Sequence, residues 1–99
     1  MTATAKEELF RIARSYRRHA LSSAYSNYSD PDHVMRERWH LKAGILGAIG
    51  DGQDPAKVEA TKLAQTADIT DALGRPIYAA DIVREVRLAR SIIAAGGAK

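Results

Sequence analysis

Apolar residues recur at three- and four-residue intervals along most of this chain, and four stripes emerge when positions are placed at about 100° per residue. Leu9, Ile12, Ala13, Tyr16, Ala20, Ser23 and Ala24 share one side of a first helix. Val34, Leu41, Ile45, Ala48 and Ile49 share one side of a second, and Met35, Trp39 and Leu46 widen that arc. Ala56, Ala60, Leu63, Ala64 and Ala67 form a thin third stripe of small residues, which invites close approach by a neighbouring backbone. Ile82, Val86, Ala89 and Ile93 make the fourth, flanked by Ala79 and Val83. No sustained period-two alternation occurs, so strands are not expected.

Local signals place the boundaries. Thr4-Ala-Lys-Glu7 reads as a capping box. Ser29-Asp30-Pro31 and Asp54-Pro55 each put proline at a first helical position. Gly50-Asp51-Gly52 closes the second helix, and Asp68 to Pro76 is broken, with a short turn ended by Gly74. The pattern therefore predicts helices over about 5–28, 31–49, 55–67 and 76–94, with a turn near 70–74. Amphipathic stripes joined by short links imply one all-α domain over 1–99, a compact bundle of about four helices, with 1–3 and 95–99 fraying.

Composition narrows the chemistry. The 99 residues include no cysteine, which excludes disulfides, thiolate metal sites and cysteine nucleophiles. The longest apolar stretch, Ala43 to Gly50, is far too short to cross a bilayer, and the N-terminus has no hydrophobic signal-like core. The expected setting is the cytoplasm or the interior of a virus particle, with no membrane partner.

Charge is uneven. Lys6, Arg11, Arg14, Arg17 and Arg18 face two acids, Glu7 and Glu8, between Thr4 and Tyr28, a local +3 that equals the formal charge of the whole chain. The half from Asp51 to Lys99 balances. Arg11, Arg14 and Arg18 lie on one face of the first helix, with Arg17 beside them and Tyr25 continuing the row. Such a set suits an anionic partner, nucleic acid included. A solvated face with Glu7 pairing Arg11 at i+4 is the plainer expectation. Arg84 and Arg87, near Ser91, form a secondary basic patch that Asp81 and Glu85 are expected to weaken.

A second constellation lies on the second helix. His33, Glu37 and His40 gather at i, i+4, i+7, and Glu37-x-x-His40 has the spacing of a di-iron ligand pair. No second copy exists and the sector faces away from the apolar arc, so no metal and no cofactor is expected. Gly44 and Gly47 share this sector. Two glycines inside a helix suggest a close partner there, either the third helix or a second copy of the chain, or else a helix that bends or stops near Ala43 and leaves the glycines in a loop. His33, Glu37, His40, Gly44 and Gly47 then form a helix-face interface with Trp39 and Leu88 as additional apolar positions. Arg38 and Lys42 fall inside the apolar arc, where they either snorkel or pair with Asp68, Asp71 or Asp81.

No arrangement of titratable groups or nucleophiles reads as catalytic, so no enzyme is expected. A helix-turn-helix over Ile69 to Arg90, with Gly74 in the turn, is a poor match because its first helix would be one turn long. The leading expectation is a protein–protein interaction module, an assembly component, adaptor or small inhibitor that meets another protein or a second copy of itself. The alternative is a DNA- or RNA-binding protein that uses the basic face of the first helix.

Overall fold

A computed structural model describes the backbone of residues 1–22 and 31–96 and the side chains of 1–20 and 36–96. It is all-α: α1 Ala3–Ser22, α2 Pro31–Gly50, α3 Pro55–Thr66 and α4 Ala79–Ala94. Residues 23–28, expected to extend the first helix, lie outside the described residues. Helices α2 and α4 each touch all three others, whereas α1 and α3 do not meet among the described residues, so α2 and α4 form the centre and α1 and α3 flank it. None of the described helices is long and apolar enough to cross a membrane.

The core is the predicted one on three helices, with the predicted Val34 and Met35 side chains of α2 lying outside the described residues. Leu9 and Ala13 of α1, Ile45, Leu46 and Ile49 of α2, and Ile82, Val86 and Ala89 of α4 are buried together, with Ile12, Tyr16, Leu41 and Ile93 packed against them. Each fully buried aliphatic side chain of this kind contributes about 1.5–3 kcal/mol of transfer free energy.

On α3 the predicted face is wrong. Val58 and Thr66 are buried and Leu63 is half-buried, whereas Ala56, Ala60, Ala64 and Ala67 face solvent. The cause is area: burying Val58 with Leu63 removes more apolar surface from water than burying four methyl groups.

Two boundaries also differ from expectation. The cap of α1 is Thr2 rather than Thr4: its Oγ1 accepts from the Ala5 N–H at 3.0 Å and donates to the Gly96 carbonyl at 3.0 Å. A tertiary partner at the end of α4 selects between two equivalent threonines. Helix α4 begins at Ala79, not 76. Residues 69–77 instead form a small hairpin with a bridge between Thr70 and Pro76 and an Ile77 N–H bond to the Ile69 carbonyl at 3.0 Å. That hairpin also removes the helix-turn-helix, because its first helix does not form.

Helix α2 runs unbroken through Gly44 and Gly47. It ends where Gln53 N–H bonds the Ala48 carbonyl at 3.1 Å and Gly52 N–H bonds Ile49 at 3.0 Å. This pattern needs a left-handed residue, and Gly52 supplies it at φ +100°.

Candidate functional site

Three surfaces hold the residues that carry chemistry. The first is a polar cluster where α1, α2 and α4 meet. Asp81 and Glu85 lie one turn apart on α4 and are only 2% and 3% exposed. Arg38 of α2 reaches Asp81 with both arms of its guanidinium, Nε to Oδ2 at 2.8 Å and Nη2 to Oδ1 at 3.0 Å. Lys42 Nζ stands 4.0 Å and Arg84 Nη1 3.7 Å from Oδ1 of the same carboxylate. Asp81 is thus the acid that Arg38 and Lys42 pair with, one of the three named from the sequence. Glu85 accepts a 2.7 Å hydrogen bond from the Tyr16 hydroxyl. Burial first, then that bond, raises the Tyr16 phenol well above its ordinary value.

Trp39 closes the cluster. Its ring lies 4.8 Å from His19 in a stacked arrangement and 5.3 Å from Tyr16. The Lys42 ammonium sits 4.8 Å from its centroid. Half-buried Trp39 is therefore engaged by its own chain. The buried acids of this cluster are thus each met by a partner from another helix, Asp81 by Arg38 of α2 and Glu85 by Tyr16 of α1.

The second surface is an open groove of about 300 Å³ lined by Glu37, His40, Leu41, Thr66, Ile69 and Tyr78. The Tyr78 hydroxyl donates to Glu37 Oε2 at 3.3 Å. Burial raises the Tyr78 phenol above its ordinary value, and the Glu37 charge adds to the shift. The hairpin at its edge exposes apolar side chains, Leu73 at 74%, Ile69 at 42% and Ile77 at 37%. Asp71 holds this hairpin in shape: Oδ1 accepts from the N–H groups of Leu73 at 2.8 Å and Arg75 at 3.0 Å, and Oδ2 accepts from Arg75 Nε at 3.1 Å. The Arg75 backbone bond leads the causes that hold the Asp71 carboxyl below its ordinary value. Gly74, at φ +78°, supplies the left-handed turn residue.

The third surface is basic. Arg11, Arg14, Arg17 and Arg18 are all exposed. Arg11 pairs with Glu8 at i+3 rather than with the expected Glu7, and that bond lowers the Glu8 carboxyl. Arg14 has no ion-pair partner among the described residues. Arg17 leans towards α2, with Nη2 3.5 Å from where a Cβ on Gly47 would stand. On α4, Arg84, Arg87 and Arg90 are exposed.

The sector predicted on α2 divides. Glu37 and His40 share the groove, and no atom lies within 4 Å of where a Gly44 Cβ would be. Gly47 is buried beneath α1, and a Cβ on Gly50 would meet the Phe10 ring at 3.2 Å. The close partner of Gly47 and Gly50 is therefore α1 rather than α3, and Gly44 has no close partner among the described residues. Leu88 is half-buried against the core. His33 lies in the described part of α2, but its side chain, like all of Tyr25, lies outside the described residues. Among the described residues no three His, Asp or Glu side chains gather as a metal would need.

Sequence reasoning missed Tyr78, the hairpin and Glu85. Glu85 carried a signal, since it falls beside Ile82 and Val86 on the apolar side of α4. The hairpin carried a weaker one, Asp71 with Gly74. Tyr78 carried none, because its burial depends on the hairpin that precedes α4. No protein-family model, no curated protein and no solved structure matches this chain.

Proposed function

We propose that this chain is a non-enzymatic helical module that binds another protein, in the cytoplasm or inside a virus particle. One observation carries this reading: an apolar-floored groove lies beside a hydrogen-bonded hairpin that leaves Leu73 largely exposed. A large apolar side chain on a pinned turn is costly to leave exposed, and a partner's pocket would remove that cost. Pre-organisation by Asp71 lowers the entropy lost on docking. Glu37 and His40 at the rim supply polar contacts. The satisfied state of Asp81, Glu85 and Tyr16 leaves no pair poised for acid–base work, which supports binding over catalysis.

The test pairs the wild-type chain with Leu73→Asp. Both are run on size exclusion with light scattering, and both are used to capture partners from the native source. The expected result is a stoichiometric complex with wild type that Leu73→Asp loses while keeping its melting curve. Equal capture by both chains would reject the groove and hairpin as the interface.

A second reading, an anionic partner on α1, is favoured by the exposure of Arg11, Arg14, Arg17 and Arg18. Charge reversal at Arg14 and Arg18 should then abolish oligonucleotide binding without unfolding the chain.

A further inference from the structure

We infer that the solvent face of α4 docks on the phosphodiester backbone of a nucleic-acid duplex through Arg84, Arg87 and Arg90. This inference rests on neither the groove nor the face of α1. Helix α4 holds three arginines and two acids, but both acids, Asp81 and Glu85, point inward and are 2% and 3% exposed. The face left in water is basic with no acid of its own helix on it. Arg87 and Arg90 have no ion-pair partner among the described residues, and Arg84 keeps only a 3.7 Å contact with Asp81.

The neighbours on that face are small. Ala80, Ser91 and Ala94 are exposed, so a rigid polyanion meets little steric obstruction. From Arg84 to Arg90 the helix advances about 9 Å, over which each strand of a duplex presents two to three phosphates. The helix is held firmly for this purpose by Ile82, Val86 and Ala89 in the core and by the bonds of Asp81 and Glu85 to α2 and α1.

The choice among polyanions follows from what is missing. An acidic protein partner would need an apolar centre for its contact, and Val83, at 37% exposure, is the one large apolar residue here. A single strand would need aromatic platforms for its bases, and this face has none. Phosphate contact on a duplex requires neither. Guanidinium groups suit it, because they bind phosphate oxygens in a fixed fork.

The experiment is fluorescence anisotropy on the full chain with a mixed-sequence duplex of about 20 base pairs, its single strand, and polyglutamate as competitor, across salt. Wild type should bind duplex with a log–log salt slope of about −2.7 or steeper, a loss of about 40-fold between roughly 50 and 200 mM. The double variant Arg87→Gln/Arg90→Gln retains Arg84 beside Asp81, so its fold is protected, and melting by circular dichroism verifies this. It should reduce the slope by about 1.8, the share of two phosphates. The inference is overturned by no duplex binding at low salt, by tighter binding of the single strand, by effective competition by polyglutamate, or by an unchanged slope in the folded double variant. If Arg14→Gln/Arg18→Gln removes binding while the α4 variant keeps it, the α1 reading stands and this one falls.

Discussion

Helices α1 and α4 look alike in composition and differ in how they spend their acids. Each has an apolar stripe, a row of arginines and two acidic residues. On α1 the acids stay outside: Glu7 is exposed and Glu8 pairs with Arg11 at the surface. On α4 the acids turn inward, where Asp81 meets Arg38 and Glu85 meets Tyr16. The two helices therefore present the same formal charge outward, five cations against two acids on α1 and three cations against none on α4, although α1 looks the more basic in sequence. Net charge by segment is a poor guide to surface potential when acids sit on the apolar side.

The largest expected effects are those the two helices share. Leu9→Ala on α1 and Ile82→Ala on α4 each remove a fully buried side chain, and each should cost about 2–5 kcal/mol in denaturant melts. A cost below about 1 kcal/mol at either site would mean that helix does not sit on the core as described.

The acids should then separate the two. Asp81→Ala leaves Arg38 and Lys42 without their buried carboxylate and should destabilise by about 2–4 kcal/mol. Glu8→Ala removes only the partner of exposed Arg11 and should leave the melt nearly unchanged. Similar effects from the two variants would erase the contrast between the helices.

The bond joining the helices offers a pH test. The Tyr16 phenol titrates higher in the fold than in the unfolded chain, so the fold holds the extra proton. Its contribution is complete below about pH 10 and declines as pH rises further. Tyr16→Phe should lower stability at neutral pH by about 1–3 kcal/mol and flatten the alkaline limb of the pH profile. An unaltered alkaline limb would show that the Tyr16–Glu85 bond does not form. Asp71 works in the opposite sense on the hairpin. Its carboxyl is depressed, so its contribution is present above about pH 4 and lost as pH falls below that. The protection of the Leu73 and Arg75 amides, both bonded to Asp71, relative to their intrinsic exchange rates should fall there.

The smallest effects concern the seat of α1 on α2. Gly44→Ala meets no neighbour and should stabilise by about 0.5–1 kcal/mol through helix propensity alone. Gly50→Ala presses on Phe10 of α1 and should melt below Gly44→Ala. The reverse order would place the glycine contact elsewhere.

Much of the fold was legible because hydrophobic period, proline at helix starts and glycine at helix ends are local signals. Those signals determined that the chain is all-α, where its helices start and where α2, α3 and α4 end to within a few residues, and which sides of α1, α2 and α4 face inward. Even the pairing of Arg38 with Asp81 was within reach, since a cation in an apolar arc requires a buried acid. Other features depended on comparing distant residues. The cap of α1 went to Thr2 because Gly96 lies beside it, and Val58 outweighed the alanines of α3 once a neighbour was there to cover it. Glycines Gly47 and Gly50 found α1 as their partner, a choice no spacing along α2 encodes. The tertiary structure alone decided which charges reach water, because burial of a carboxylate depends on whether a neighbouring helix brings it a donor.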